Sequence, residues 1–595
     1  RNNWTHPNPD LLPHRRQTQQ LQILDRRRQP QRLAVCWYHA GTGQDGYSRG
    51  ISSHSKPGLL LRRAQKETQN QSVVHPCNNL VPPSPRQPAA MAYEGGASNG
   101  HRGDELGSGT KAHFVLVPLM YQGHVIPAVD TALLLATHGA LASVVATPYN
   151  AARIRPTIDL ARQSGLPVRL VELPLDCAAV GLPEGADNVE KIPADLHVNY
   201  FDALALLAAP LERHLRAHPP YPTCIVSDFC HAWTVGVAAS LGVPRLTFFS
   251  MCAFCLLCQH NVERFNAYDG VADDNEPVVV PGLEQRIEVT RAQAPGFFRT
   301  PGFERLADDI ERARAKADGV VMNSFLEMEP EYVAGYAAAR NMKVWTIGPV
   351  SLYHRHKATL AARGNTTDAT AVAADECIRW LDGKEASSVV YVSFGSIAHA
   401  DPKQVLELGH GLEASGQPFV WVLKNPGFYG EAVSEFLGDL EERVGGRGML
   451  IKGWAPQVLI LNHAAVGGFV THCGWNSTLE AIAAGLPVVT WPHFSDQFLN
   501  EKLAVEVLGV GVSIGVKEPL MWQVAQKEIV VGREAVEAAV RSIMDGGDEG
   551  EERRRKALAL SEKAKAAVQD GGSSLANLLD LIKRFEVDAG GRTTE

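Results

Sequence analysis

No stretch of the 595-residue chain approaches the roughly 18–20 consecutive apolar residues that a membrane-spanning helix needs. The longest candidate, Leu246 to Cys258, is too short and reads as a buried segment. The first residues are rich in Arg, Gln and Pro and have no apolar core, so they do not read as a secretory signal. Cysteine is sparse: ten in the whole chain, too few for a disulfide scaffold. A reduced, cytoplasmic protein without a membrane anchor is expected. Acidic residues are scarce only at the start. Residues 1–90 hold 13 Lys and Arg against 4 Asp and Glu, a net of +9, and no methionine precedes Met91. The total is −8, so the other 505 residues carry −17. That acidic body argues against nonspecific nucleic-acid binding, which depends on clustered positive charge.

What is present is ordinary for a globular protein: 45% hydrophobic and 21% charged residues. A wholly disordered, collagenous or fibrous chain is excluded. Length alone suggests about three to four domains, or two large ones. Cys252, Cys255 and Cys258 form a C-x2-C-x2-C run. An iron–sulfur cluster would want a fourth ligand and polar, Gly-rich surroundings. The run Met251-Cys-Ala-Phe-Cys-Leu-Leu-Cys258 is apolar at helical spacing, so a core helix is expected. Gly41-Thr-Gly-Gln-Asp-Gly46 matches the dinucleotide pattern G-x-G-x-x-G, which must open a helix. The Ser-, Gly- and Pro-containing stretch after it cannot be one.

Residues 1 to about 110 lack sustained periodicity and read as a disordered leader. From there, short continuous apolar runs alternate with helical patterns. His113–Leu119, Leu141–Thr147, Cys224–Asp228, Pro244–Phe249, Gly319–Ser324 and Val344–Pro349 read as buried parallel strands. A helix is expected from about Val125 to Thr137, and another over Trp233–Leu241. Residues 354–373 are poor in large apolar residues and read as an interdomain linker. A second set follows: Ser388–Gly395, Phe419–Leu423, Met449–Lys452, Gly468–Thr471, Pro487–Thr490 and Gly511–Val516, with a helix over Lys403–Ser415. Strand, helix, strand in repetition predicts two Rossmann-like parallel-sheet domains facing across a cleft. Ligands bind outside the carboxyl ends of such strands.

The second domain holds the most informative residues. At Thr471-His-Cys-Gly-Trp-Asn-Ser477 a strand turns through Gly474 into a helix opened by Asn476 and Ser477. A helix N-terminus, with unpaired N–H groups and the positive dipole end, suits a diphosphate, and His472 adds a donor. Plain N-capping by Asn and Ser is the alternative. Phe394-Gly-Ser396 allows a similar close backbone approach. Trp454, with Ala455 and Gln457, offers a plane for stacking a base, or a core side chain. Glu480 lies one helical turn beyond Asn476 and is placed to accept from a ribose diol. Asp496 and Gln497 follow on a loop, suited to sugar hydroxyls. In the first domain His124 stands in the loop opening the first helix, and Asp228 ends a strand. The helix dipole is expected to disfavour a cationic His124 and keep it able to accept a proton.

The 44 residues from Trp454 to Gln497 resemble, almost position for position, the signature box of plant secondary-product UDP-glycosyltransferases, glycosyltransferase family 1 of the two-domain GT-B fold. The likeness runs over about residues 112–585. It includes Gln122-Gly-His-Val-Ile-Pro127, Phe394-Gly-Ser396 and Gly571-Gly-Ser-Ser574. The resemblance implies an acceptor-binding domain over 111–353, the linker 354–373, a UDP-sugar-binding domain over 374–570 and a C-terminal helix and tail, 571–595, returning to the first domain. It implies that Trp454 stacks on uracil and Ala455 contacts the base. Gln457 and Glu480 would hold the ribose. Ser396, His472, Gly474, Asn476 and Ser477 would serve the diphosphate, and Trp475, Asp496 and Gln497 the hexose. Gln497 at the last box position goes with glucose donors. His124 would deprotonate the acceptor hydroxyl, with Asp228 orienting the imidazolium.

The reaction implied is inverting transfer of glucose from UDP-glucose to a hydroxyl of a small lipophilic plant metabolite: flavonoid, other phenolic, terpenoid or hormone. No cofactor and no metal are expected. The chain has no Asp-x-Asp, the pair that holds a divalent ion in many sugar transferases. A monomer is expected, with no nucleic-acid partner. The acceptor pocket should draw on Tyr121, Pro183–Pro193, Phe229–Trp233 and Tyr268–Phe298, with Met251, Phe254, Phe297 and Phe298 suggesting an apolar wall, though core packing accounts equally well for each of these four. Tyr121 departs from the family, which usually has a small residue there. Another UDP-sugar, or a non-catalytic sugar-nucleotide-binding protein, is the alternative; the latter would be favoured by loss of His124 or Asp228, and both are present. A nicotinamide oxidoreductase would need a properly placed G-x-G-x-x-G. Family members begin shortly before the first strand, so Met91 is the expected start and residues 1–90 are read as upstream sequence, with a transit peptide as the alternative.

Overall fold

Strand β1 (His113–Val117) is buried at all five positions, as a strand covered on both faces must be. The computed structural model describes residues 111–294, 302–353, 360, 363, 374–395, 401–424, 426–520 and 531–586. The leader, the Gly41–Gly46 run, Phe297, Phe298 and Ser396 lie outside these residues. After β1 come β2 (Leu141–Ala146), β3 (Val168–Glu172), β4 (Cys224–Asp228), β5 (Arg245–Phe249), the short pair β6 (Pro277–Val279) and β7 (Glu288–Thr290), β8 (Gly319–Met322) and β9 (Val344–Thr346). A second series follows: β10 (Val389–Ser393), β11 (Phe419–Leu423), β12 (Gly448–Lys452), β13 (Val466–Thr471), β14 (Val488–Thr490) and β15 (Gly511–Ser513).

Two parallel sheets result. The first has the order β3-β2-β1-β4-β5-β8-β9 and the second β12-β11-β10-β13-β14-β15. In each, the order reverses beside the first strand of the set: between β1 and β4, and between β10 and β13. Those switch points are where a crevice opens at the carboxyl ends of the strands. β3 escaped the expected strand set. It is an edge strand whose Val168 and Val171 are buried while Arg169 and Glu172 are exposed, so no continuous apolar run marks it. The antiparallel β6–β7 pair also went unpredicted, being only three residues a strand.

Five helices position the site: α1 (Gln122–Thr137), α2 (Ala253–Arg264), α3 (Glu304–Ala315), α4 (Trp475–Ala484) and α5 (Ser573–Arg584). α1 starts three residues earlier than expected, which puts His124 inside its first turn. Cys252 caps α2, its sulfur accepting from the Cys255 N–H at 3.3 Å. Cys252, Cys255 and Cys258 are all buried, so the run is a core helix as expected. α5 packs on the first sheet. Phe585, just past its end, meets Phe114 edge-on at 5.9 Å, and Asp580 accepts from the Trp345 indole at 2.6 Å. Among the described residues no helix is long and apolar enough to cross a membrane.

Candidate active site

Strand adjacency builds the first half of the site. β1 and β4 are neighbours with Val117 opposite Ser227, so the loop after β1 and the end of β4 lie side by side. His124 and Asp228, 104 residues apart, meet there: Nδ1 of the imidazole lies 2.7 Å from Oδ2 of the carboxylate. Asp228 is buried, and its other oxygen accepts from the Cys230 N–H at 3.0 Å. Two contacts therefore fix the carboxylate, which fixes the ring. Nε2 is the nitrogen left for a substrate hydroxyl. Tyr121 and Phe229 wall the imidazole, with ring centroids at 6.3 and 6.2 Å.

The expected electrostatics of His124 need correction. Burial would lower its pKa, but the charge and hydrogen bond of Asp228, with the charge of Asp496, outweigh that and hold it above the ordinary value of 6.5. Burial likewise pushes Asp228 up, and its contacts with His124, the charge of His231 and the Cys230 N–H together pull it down further than that, to below the usual carboxylate range. Both directions say that the folded protein favours the imidazolium–carboxylate pair. A carboxylate at hydrogen-bonding distance acts more strongly than the partial charge of a helix end.

The second half lies where the loops after β10 and β13 meet. Ser393 pairs with Thr471, bringing Gly395 against His472. A Cβ at Gly395 would lie 2.6 Å from the His472 ring, and one at Gly474 2.4 Å from it. The imidazole thus sits in a slot that two glycines leave open. Burial, then the charges of His493 and Lys424, lower the His472 pKa to about 3, and burial lowers His493 to about 4. Both rings are neutral at physiological pH. Each has a buried Nδ1 without a protein partner, polar capacity directed at no neighbour. Cys473, between His472 and α4, has φ 62°, a left-handed conformation that turns the strand sharply into the helix.

α4 opens at Gly474, with Trp475, Asn476 and Ser477 in its first turn. Gln457 ties three predicted residues together: its amide nitrogen donates to Ser477 at 3.1 Å and to Glu480 at 2.8 Å. Trp454 and Ala455 stand half-buried just upstream. Other predicted residues are committed across the cleft. The Trp475 indole donates to the Asn323 carbonyl at 2.7 Å, and the Asn476 amide donates to the Gly123 carbonyl at 2.5 Å. Gln497 accepts from the backbone N–H groups of His493 and Phe494, at 2.8 and 3.1 Å, which sets its amide orientation. Asp496 accepts from Asn500 at 2.8 Å; burial raises its pKa against that bond.

One cavity of about 660 Å³ joins both halves. It is lined by His124, with Asp228 behind it, and by every predicted donor-side residue among the described ones: Trp454, Ala455, Gln457, His472, Gly474, Trp475, Asn476, Ser477, Glu480, Asp496 and Gln497. Lys424 and Arg363 also line it and were not foreseen. Its first-sheet end is walled by Leu119, Tyr121, Ile126, Phe229, Met251 and Ile310. The acceptor-pocket expectation is corrected at several points. Phe254 is fully buried in the core against Tyr332, not on the cavity. Trp233 lines a separate cavity of about 360 Å³. Pro183–Pro193 and the described part of Tyr268–Phe298 do not line the main cavity. α3 does, through Ala307, Ile310, Glu311 and Arg314. Its charged, amphipathic sequence reads as a solvated face, which hid that role.

Tyr121 is buried beside His124 and on the cavity wall. On the reading of this cavity that the resemblance implies, Tyr121→Ala is expected to admit acceptors bulkier than the parent chain takes, without raising KM for the sugar donor. Parallel kinetics with a slim and a bulky acceptor measure this.

The family model described as UDP-glucoronosyl and UDP-glucosyl transferase matches residues 367–529. UDP-glycosyltransferase 73C12 of Barbarea vulgaris is 44% identical over 479 residues, covering 79% of this chain and 96% of that protein. UDP-glycosyltransferase 73C6 of Arabidopsis thaliana is 45% identical over 477 residues, with the same coverages. Among solved structures, Glycyrrhiza uralensis UGT73P12 complexed with glycyrrhetinic acid 3-O-monoglucuronide superposes with a TM-score of 0.73 at 36% identity, over 80% of this chain and 96% of that one.

Proposed function

This chain belongs to the plant UDP-glycosyltransferase family, of GT-B fold, and on that premise we propose that it moves glucose from UDP-glucose to a hydroxyl of a small lipophilic plant metabolite, with inversion. The observation that carries this is the placing of the His124–Asp228 pair and the α4 N-terminus on one cavity. The acceptor oxygen, losing its proton to His124 Nε2, attacks the anomeric carbon from the face opposite UDP. The bond to the diphosphate oxygen breaks as the new C–O bond forms, and an α-linked donor gives a β-glucoside. Asp228 steadies the imidazolium, as the carboxylate does in a hydrolase triad. N–H groups at the start of α4, with neutral His472, meet the charge that develops on the departing diphosphate. These groups support a metal-independent reaction, as does the lack of an Asp-x-Asp pair.

The apolar wall Leu119, Phe229, Met251 and Ile310 supports a lipophilic acceptor of phenolic or terpenoid class. Gln497, which borders the cavity beside Asp496, supports glucose through the family pattern in which glutamine at this position goes with glucose donors. The eight described cysteines are free and buried, which supports a reducing compartment such as the cytoplasm. A mass-spectrometric screen of UDP-glucose, UDP-galactose, UDP-glucuronate and UDP-rhamnose against phenolic and terpenoid alcohols tests the reading. A β-glucoside formed at equal rate with and without EDTA is the expected result. Strong inhibition by EDTA would sink the metal-free mechanism, and preference for another donor would reassign the sugar.

A further inference from the structure

Arg363 comes from the stretch expected to be a linker, and nothing in its sequence neighbourhood singles it out. Its side chain nevertheless enters the cavity and is only 10% exposed. Nε and one terminal nitrogen each lie 2.8 Å from Oδ2 of Asp130, and the other terminal nitrogen lies 2.5 Å from Oε1 of Glu480. The two carboxylates are 1% and 6% exposed. Asp130 stands on α1, the helix that carries His124. Glu480 stands on α4, the helix whose start faces the diphosphate subsite. One guanidinium therefore joins the helices of the two half-sites.

The arrangement is demanding. Burying two carboxylates is unfavourable without a cation within hydrogen-bonding reach. Arg363 supplies the cation, and its fork geometry serves both acids at once. Burial works against its charge, but the two carboxylates raise its pKa above that of ordinary arginine. Glu480 meanwhile takes Gln457 on its second oxygen. A carboxylate has about four acceptor positions, so two donors leave room for ribose hydroxyls.

We propose that Arg363, held by Asp130, is a positioning residue of the donor site that fixes Glu480 to accept the ribose hydroxyls of a uridine diphosphate sugar. This rests on the reading of Glu480 as the ribose carboxylate. Arg363 does not touch the reacting atoms; it acts through Glu480. The linker thereby contributes to nucleotide affinity, and the helix of the catalytic base shares the anchor.

The test uses the full chain with Arg363→Met, Arg363→Lys, Asp130→Asn and Glu480→Gln. UDP affinity is read by titration calorimetry, KM for donor and acceptor by initial rates, and folding by thermal unfolding. Arg363→Met is expected to weaken UDP binding and raise donor KM by about tenfold or more, with acceptor KM unchanged. Arg363→Lys, which restores a charge and is the variant to rely on if Arg363→Met does not fold, should recover part of the loss. Asp130→Asn should show a smaller loss of the same kind. A folded Arg363→Met or Arg363→Lys that binds UDP like the parent, while Glu480→Gln binds it weakly, would overturn the proposal and leave the ribose reading standing. Tighter UDP binding in Arg363→Met would also overturn it, by showing that Arg363 competes with the ribose. If Glu480→Gln binds UDP like the parent, the ribose reading fails first and takes the proposal with it.

Discussion

His124→Ala is expected to lower kcat for sugar transfer by about 10²–10⁴-fold, the usual contribution of a general base, while UDP affinity stays close to that of the parent. The separation of effects follows from architecture. His124 is held by the first sheet, through Asp228, and the residues read as the donor site come from the second. Initial rates with UDP titrations measure both; an active His124→Ala enzyme would remove His124 as the base. A pH profile gives a sharper reading. Only the neutral imidazole accepts a proton, and Asp228 and Asp496 hold the pKa of His124 above 6.5 against the effect of burial. Activity should therefore fall as pH falls through that raised value, with kcat/KM tracing the free enzyme. Asp228→Asn removes the main opposing charge and leaves burial to act. The acid limb should move to lower pH, while the maximal rate falls because the ring loses its orienting acceptor. An acid limb that stays in place in Asp228→Asn would show that another group governs the titration.

The parts of this molecule legible in the sequence are those set by local covering. Strands buried on both faces announce themselves as continuous apolar runs; Cys224–Asp228 and Phe419–Leu423 are bounded in the structure as they read in the sequence. β3 shows the limit. An edge strand has one exposed side, so its pattern loses contrast. The box from Trp454 to Gln497 was legible for another reason: it is nearly contiguous, so its order along the chain carries the arrangement. The second sheet then needs only the adjacency of β10 and β13 to bring Gly395 to His472.

Residues whose role depends on tertiary meeting were less accessible. The His124–Asp228 contact depends on β1 lying beside β4 across 104 intervening residues, and the resemblance supplied what spacing does not. The expected direction of the His124 shift weighed the helix dipole alone, whereas the contact with Asp228, which the resemblance implies, sets the opposite sign. Arg363 and α3 had no signal at all: a lone arginine among small residues and a helix of Glu, Asp and Arg both look solvated. Phe254 is the opposite case. Its aromatic ring suited a binding wall and a core position equally well in sequence, and its position on α2 faces the core.

Gly474→Ala is expected to be as damaging as removal of His472 itself. The backbone at Gly474 has φ −57° and ψ 137°, which alanine adopts freely, so conformational strain contributes little. The effect is steric. The new Cβ would lie 2.4 Å from Nε2 and 2.9 Å from Cε1 of His472, and the opposite side of the slot is closed by Gly395. The ring must leave the slot. If His472 faces the diphosphate as proposed, its displacement should cost about 10²–10³ in kcat, the effect of losing one donor aimed at developing negative charge. Donor KM should rise and acceptor KM should not. Overpacking of this kind costs about 1–3 kcal/mol, so the variant should fold with a lowered Tm. A double-mutant cycle isolates the cause. Gly474→Ala added to His472→Ala should do little further harm to kcat, because the clash partner is gone and the two losses are one. Full additivity of the two substitutions in kcat would mean that Gly474 acts by another route, such as the approach of the diphosphate to the α4 backbone itself.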